Sequence, residues 1–83
     1  MGATGLSPAE EAILTLLAER ARGTTICPSE AARRLAGPHG NWRGQMDLIH
    51  AAADRLLESG AIALSWKGAP IQKRRGPYRI ARR

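Results

Sequence analysis

The stretch W-R-G-Q-M-D-L-I-H-A-A-A-D-R-L-L-E-S-G, residues 42–60, decides the fold of this chain. Its apolar side chains recur at intervals of four, three, four and three residues, and they are Trp42, Met46, Ile49, Ala53 and Leu56. This spacing places them along one stripe of an α-helix, and we expect the stripe to be buried. Gly60 stands where a left-handed residue would end the helix.

The residues before this stretch predict two shorter helices joined by an extended link. The first helix begins at Ser7-Pro8-Ala9-Glu10, a capping-box pattern with proline in the first turn, and it is expected to end at Gly23. The β-branched residues Thr24-Thr25-Ile26 predict a short strand. A second helix is expected to begin at Cys27-Pro28, because proline suits the first turn of a helix, and Gly37-Pro38 would end it.

Two strands are predicted after Gly60. Ile62, Leu64 and Trp66 alternate with small or polar residues, which is typical of a half-buried strand. A second strand follows residues 67–77, which contain two glycines and two prolines and predict an irregular loop. The core neighbours expected around the long helix are Ile13, Leu16, Leu17, Leu35, Ile62, Leu64 and Ile80.

The predicted order is therefore helix, strand, helix, helix, strand, strand, a mainly α domain with a small β-hairpin. The two middle helices form a helix-turn-helix and the hairpin forms a wing, so the predicted fold is a winged helix-turn-helix. With 83 residues, the chain 1–83 is expected to be a single domain. We expect a loose N-terminus over residues 1–6 and a wing loop over residues 67–77.

The charge is distributed unevenly along the chain. Residues 1–41 carry four basic and four acidic side chains, whereas residues 42–83 carry nine basic and only three acidic ones. Such asymmetry favours a polyanionic partner, and the alternative is an ordinary solvated surface. We therefore expect double-stranded DNA to be the partner, bound without catalysis through the basic wing and the third helix.

The candidate DNA contacts lie on the second helix, the third helix and the wing. Arg43 could pair with guanine and Gln45 with adenine, although Asp47 on the same helix would repel phosphate. Lys73, Arg74 and Arg75 are expected at the wing tip, which could follow the DNA backbone or enter a minor groove. The predicted contact residues are Arg33, Arg34, Arg43, Gln45, Lys67, Lys73, Arg74, Arg75 and Arg79. Trp66 could stack on a base, but its alternation with Ile62 and Leu64 favours a core position.

A protein-interaction module is the alternative function, because the same fold serves both purposes. Leu48, Ala51 and Ala52 would then form the contact face on the third helix. DNA binding requires the cations to share one surface, whereas a protein module requires an exposed apolar patch. These two arrangements distinguish the hypotheses.

The sequence predicts no enzyme, no cofactor, no metal site and no small-molecule substrate. Cys27, His39 and His50 lack the spacing of zinc ligands, and the serines lack the setting of a nucleophile. Cys27 is expected to pack at a helix start, although a thiol in that position can also be reactive. The absence of a long apolar run and of a signal peptide predicts a cytoplasmic protein with no membrane association.

Three motifs carry a resemblance to a known family. I-C-P-S-E-A-A-R-R-L at residues 26–35, W-R-G-Q-M at residues 42–46 and R-G-P-Y-R at residues 75–79 together resemble the bacterial domain-of-unknown-function family 3253. The resemblance covers nearly the whole chain. It implies a small winged-helix-like domain with no assigned activity.

Overall fold

Three helices pack against one face of an antiparallel sheet in the computed structural model, which describes residues 5–83. The helices are α1 (Pro8–Glu19), α2 (Pro28–Ala36) and α3 (Met46–Ser59), and one 3₁₀ turn (Arg43–Gln45) precedes α3. The strands are β1 (Thr25–Ile26), β2 (Ile62–Trp66), β3 (Ala69–Ile71) and β4 (Arg79–Arg82), arranged in the order β1-β4-β2-β3. The mainly α class with a β-hairpin is confirmed, and the layout is compatible with a winged helix.

The caps predicted at the start of α1 and at the end of α3 are present. The Ser7 hydroxyl accepts a hydrogen bond from the Glu10 N–H at 3.2 Å, and the Glu10 carboxylate accepts one from the Ser7 N–H at 3.0 Å. This reciprocal pair satisfies two backbone donors at the start of α1. At the end of α3, Gly60 has φ 84° and ψ 8°, the left-handed conformation that glycine adopts without steric cost. Both ends were therefore predictable from local sequence.

The end of α1 differs from the prediction. The helix stops at Glu19 rather than at Gly23. The reason is a tight turn in which the N–H and the hydroxyl of Thr24 both donate to the Ala21 carbonyl, at 3.1 and 2.6 Å. Gly23 has a positive φ of 85° within that turn and directs the chain into β1. The predicted loose terminus over residues 1–6 falls mainly on residues 1–4, which lie outside the described residues.

The core lies between the helices and one face of the sheet. On α3, the stripe prediction is confirmed for Ile49, Ala53 and Leu56, which are at most 3% exposed. Trp42 and Met46 are only half-buried, because the 3₁₀ turn before α3 breaks the α-helical spacing there. The other predicted core residues are buried apart from Leu35, which is half-buried: Ile13, Leu16, Leu17, Ile62, Leu64 and Ile80.

The predicted wing loop over residues 67–77 contains an additional strand, β3. Lys67 and Gly68 have φ values of 53° and 82°, as in a two-residue type I′ turn, and β3 pairs directly with β2. Pro70 fits this strand because its missing N–H would face the open edge of the sheet. The tip of the hairpin is therefore Lys67-Gly68, and the predicted tip at residues 73–75 is wrong.

The hairpin turn leads to a stability prediction. Lys67 is the only non-glycine residue with positive φ within residues 5–83. Asparagine tolerates this conformation better than most residues, so Lys67→Asn should be more stable than Lys67→Ala by about 0.5–1 kcal/mol. Urea unfolding of the two variants, which lack the same charge, measures the difference. Equal stabilities would contradict the turn assignment.

The core position predicted for Trp66 is wrong. Its side chain follows the alternation of Ile62 and Leu64, but it is 39% exposed while they are buried. Trp66 ends β2, next to the hairpin turn, and its indole lines an open cleft instead of the core.

Candidate nucleic-acid interface

Two of the predicted DNA contacts are held in strong ion pairs. The Arg34 guanidinium donates to both carboxylate oxygens of Glu19, with Nη–O distances of 2.6 and 3.1 Å. The Arg74 guanidinium donates to both oxygens of Asp54 at 2.8 Å. Paired guanidinium groups of this kind have their charge largely compensated. Arg34 and Arg74 would have to give up these carboxylates in order to bind phosphate.

Ion pairing leaves the protein with an excess of uncompensated cations. Arg20 pairs with Glu30 at 2.7 Å, and Arg55 lies 3.6 Å from Glu10. Together with the two pairs above, these contacts involve four of the seven carboxylates. The carboxylates without an ion pair in the described part of the chain are Glu11, Asp47 and Glu58.

Arg33, Trp42 and Arg43 form what we call the arginine–tryptophan cluster. The guanidinium carbons of Arg33 and Arg43 lie 4.5 and 4.6 Å from the centroid of a Trp42 ring. Both distances are within the range of cation–π attraction. No ion pair to either arginine is found among the described residues. One indole therefore holds two cations from different elements together at the surface.

Local backbone contacts position this cluster. Asn41 accepts a hydrogen bond from the Gly44 N–H at 3.2 Å, and the Trp42 carbonyl accepts one from the Gln45 N–H at 3.0 Å. These bonds close the 3₁₀ turn, so Asn41 caps this turn rather than α3 itself. A Cβ on Gly44 would lie 2.7 Å from the Asn41 side-chain nitrogen, so any other residue there would displace the Asn41 amide.

A cleft of about 270 Å³, here called the hairpin cleft, lies between the start of α2, the start of α3 and the sheet. Its lining is mostly apolar and, among the described residues, includes no carboxylate. The lining residues are Cys27, Pro28, Ser29, Met46, His50, Trp66, Gly76, Pro77, Tyr78 and Arg79. Cys27 is half-buried, with its sulfur 3.1 Å from the Ser29 hydroxyl oxygen. Its thiol is thus packed at the helix start, as expected, but only partly covered.

His50 and Tyr78 form a neutral pair at the cleft wall. The His50 Nδ1 and the Tyr78 hydroxyl oxygen are 2.7 Å apart. Burial, with the positive charge of Arg74 as the next cause, lowers the pKa of His50 below its ordinary value of 6.5. Burial raises the pKa of Tyr78 to about 12. Both side chains are therefore uncharged at neutral pH, and the hydrogen bond between them joins two neutral groups.

This pair predicts a pH dependence of folding stability. The unfolded chain protonates His50 more readily than the folded chain does, because the folded pKa is lowered from 6.5. Its contribution to stability is present above pH 6.5 and is lost as the pH falls through the folded pKa. Wild-type stability should thus decrease between pH 7 and 5, and His50→Gln should remove most of that slope. The paired carboxylates, with lowered pKa values, respond only below about pH 4.5.

Chemical denaturation at pH 7, 6 and 5 tests this dependence. Tyr78→Phe is the matched control, because it removes the hydroxyl and leaves the titrating imidazole in its buried setting. That variant should keep a slope of the same sign. An equal slope in wild type and His50→Gln would show that another group is responsible.

The structure separates the two residues that were expected to contact bases. Arg43 stacks on Trp42, whereas the half-buried Gln45 lines another groove of about 320 Å³. The exposed charges of α3 are mainly negative: Asp47, Asp54 and Glu58 against the single cation Arg55. Asp47 lies in the first turn of α3 and Glu58 in its last turn, so both ends of the helix carry a carboxylate that repels phosphate.

The remaining predicted contacts lie in three places. Lys67 occupies the hairpin tip, and Lys73 and Arg75 are exposed in the connection between β3 and β4. Arg79 is held against the sheet, because its guanidinium donates to the hydroxyl and carbonyl oxygens of Thr25 at 2.6 and 3.2 Å. Of the nine predicted contacts, five are cations with neither an ion pair nor a side-chain hydrogen bond among the described residues: Arg33, Arg43, Lys67, Lys73 and Arg75.

Two tryptophans belong to this surface but were assigned to the core from sequence. Trp42 is the platform for two arginines, and Trp66 is the exposed wall of the hairpin cleft. The W-R pair at residues 42–43, close to R-R at residues 33–34, was the available indication for Trp42. For Trp66, the indication was its position directly before Lys67-Gly68, a pair compatible with a tight turn.

The profile of one protein family matches residues 7–83, which include all three helices and all four strands. The chain belongs to the family described as protein of unknown function, DUF3253. The resemblance carried by the three sequence motifs is thereby confirmed. No curated protein matches this DUF3253 chain.

Two further observations concern other kinds of site in the DUF3253 domain. Within residues 5–83, no three His, Cys, Asp or Glu side chains are grouped so that they could hold a metal ion. None of the helices in the same range combines the length and the apolar character needed to cross a membrane.

Proposed function

We propose that this protein is a non-enzymatic, cytoplasmic DNA-binding domain that holds double-stranded DNA by its phosphates. The arginine–tryptophan cluster carries this proposal. Two guanidinium groups fixed over one indole lose little conformational freedom when they bind an anion, and guanidinium matches the geometry of phosphate oxygens. Both arginines are exposed and have no ion pair among the described residues, so their charge is available to an anion.

The distribution of the other charges supports the same partner. Lys67 at the hairpin tip, with Lys73 and Arg75 in the following connection, supplies exposed cations on the wing. Asp47 and Glu58 on the exposed side of α3 disfavour contact with phosphate along that helix, which leaves Arg43, in the 3₁₀ turn before α3, as the cation that contacts DNA in this region. We therefore propose binding that depends mainly on the DNA backbone, with weak sequence preference.

The test is a titration of a fluorescein-labelled random-sequence duplex, followed by anisotropy at two salt concentrations. Four phosphate contacts give a slope of log affinity against log salt of about −3.6. The affinity should then fall by roughly 150-fold between about 50 and 200 mM salt. Binding that is absent at the lower salt concentration, or that does not respond to salt, would remove DNA from consideration.

Exposure of Leu48 favours protein interaction as a second candidate function. Its side chain is 56% exposed and, with Ala51, lines the groove of about 320 Å³ between α1, α2 and α3. Ala52, which was expected on the same face, is fully buried and takes no part. Leu48→Ser separates the two functions, because it adds no charge beside Asp47 and should leave duplex affinity within about threefold while abolishing an apolar protein contact.

A further inference from the structure

We propose that the hairpin cleft receives a single unstacked nucleobase, so that the protein prefers DNA with an unpaired nucleotide over a fully paired duplex. This inference rests on the proposed DNA binding and adds a structural preference to it. It concerns a second surface, the hairpin cleft, which lies beside the arginine–tryptophan cluster.

The shape and lining of the cleft suit one planar ring. Its volume of about 270 Å³ is slightly below the range of roughly 300–1,000 Å³ found for sites that bind drug-sized ligands. Trp66, 39% exposed, offers an indole face at its wall, and Met46, Pro28 and Pro77 line the rest. Stacking of a base on an aromatic side chain typically increases affinity by about 5- to 150-fold.

Helix α2 connects the cleft to the arginine–tryptophan cluster. Ser29 lines the cleft and Arg33 follows it by four residues on α2. Side chains four residues apart on a helix are neighbours, about 5–6 Å apart at Cβ. A nucleotide with its base in the cleft would therefore place its phosphate on the side of Arg33.

Charge and hydrogen bonding distinguish this cleft from the other concave surfaces. Its described lining has no carboxylate, and Lys67 directly follows Trp66 at its rim. The larger cavity of about 550 Å³ is lined by Asp54 and Glu58, which would repel a phosphodiester. In the hairpin cleft, Ser29 and the neutral His50 ring supply polar groups suited to the edges of an uncharged base.

The test compares three labelled duplexes of one sequence. The first is fully paired, the second carries one extra unpaired nucleotide, and the third carries an abasic residue at that position. The last two share their phosphate number and backbone distortion, so they differ only in the base. Wild type should bind the base-containing bulge about 10-fold tighter than the abasic bulge.

Substitution of Trp66 identifies the cleft as the cause. Trp66→Ala should make the affinities for the two bulged duplexes equal. Trp66→Phe should retain part of the preference, because phenylalanine still offers a face for stacking. If Trp66→Ala fails to fold, the phenylalanine variant supplies the comparison: a preference equal to that of wild type or absent altogether would overturn the assignment.

Labelling of Cys27 gives a second measurement on the unaltered protein. Because Cys27 lines the cleft, the base-containing bulge should slow its reaction with a thiol reagent more than the abasic bulge does. Equal affinities and equal labelling rates for the two bulges would overturn the base site and leave DNA binding intact. No binding to any of the three duplexes would overturn both proposals.

Discussion

Leu56→Ala should lower the free energy of unfolding by about 2–5 kcal/mol, which is a large part of the stability of so small a domain. Leu56 is 3% exposed and belongs to the cluster in which α3 packs against the other helices and the sheet. The substitution removes buried methyl groups and leaves a cavity that neighbouring side chains fill only partly. Urea unfolding followed by circular dichroism measures the loss.

Leu48→Ala is the matched control on the same helix. Leu48 is 56% exposed, so its truncation should change the stability by no more than about 0.5 kcal/mol. The two variants have the same composition and nearly the same helix propensity. Similar losses in both would mean that the assignment of the buried and exposed faces of α3 is wrong.

The buried face of α3 was predictable because burial follows the helical period. Ile49, Ala53 and Leu56 fall on one stripe whatever the details of the surrounding fold. The prediction of burial was less accurate for Trp42 and Met46, which are only half-buried. The reason is that successive side chains in a 3₁₀ turn are rotated by a different angle than in an α-helix. Periodicity alone does not show where such a turn gives way to an α-helix.

Strand β3 was missed because Gly68 and Pro70 usually interrupt regular structure. Here each occupies a position that tolerates it: Gly68 lies in a two-residue turn, and Pro70 lies on an edge strand. Because the turn was misplaced, the prediction also put the hairpin tip at the wrong residues and assigned Trp66 to the core. One local error thus changed the predicted positions of several candidate contacts.

The number of cations is read directly from the sequence, but which of them are compensated by carboxylates depends on the three-dimensional structure. Arg33 and Arg34 are adjacent, yet one stacks on Trp42 and the other pairs with Glu19, 15 residues away. Arg74 pairs with Asp54 across 20 residues. These choices depend on how the helices and the sheet pack together. Charge counting therefore overestimated the free positive charge at residues 73–75. It also gave no indication that Trp42 contacts two arginines.

The three-dimensional arrangement also changes how a helix-turn-helix would be used here. The acidic side chains exposed on α3 oppose the usual insertion of that helix along a major groove. In the proposed binding mode, Arg43 in the 3₁₀ turn before α3 and the cations of the hairpin contact the DNA, and α3 itself does not enter the groove. Membership of the DUF3253 family is compatible with either use, because fold does not determine function.

The double variant Arg33→Gln/Arg43→Gln should weaken duplex binding by roughly 200-fold at about 50 mM salt and flatten the salt slope by about 1.8 units. The reason is that each lost phosphate contact removes about 0.9 from the slope, and both arginines of the cluster are lost together. Anisotropy titrations across a salt series measure both quantities. Trp42 remains in place, so the local fold should be retained.

The control is Arg20→Gln/Arg34→Gln, which removes the same formal charge from arginines that are already paired with Glu30 and Glu19. Its duplex affinity should stay within about threefold of wild type at the same salt concentration, with nearly the same slope. Exposed ion pairs contribute about 0–1 kcal/mol, so both double variants should remain folded at 25 °C. If the two variants lose affinity equally, net charge rather than the arginine–tryptophan cluster governs binding.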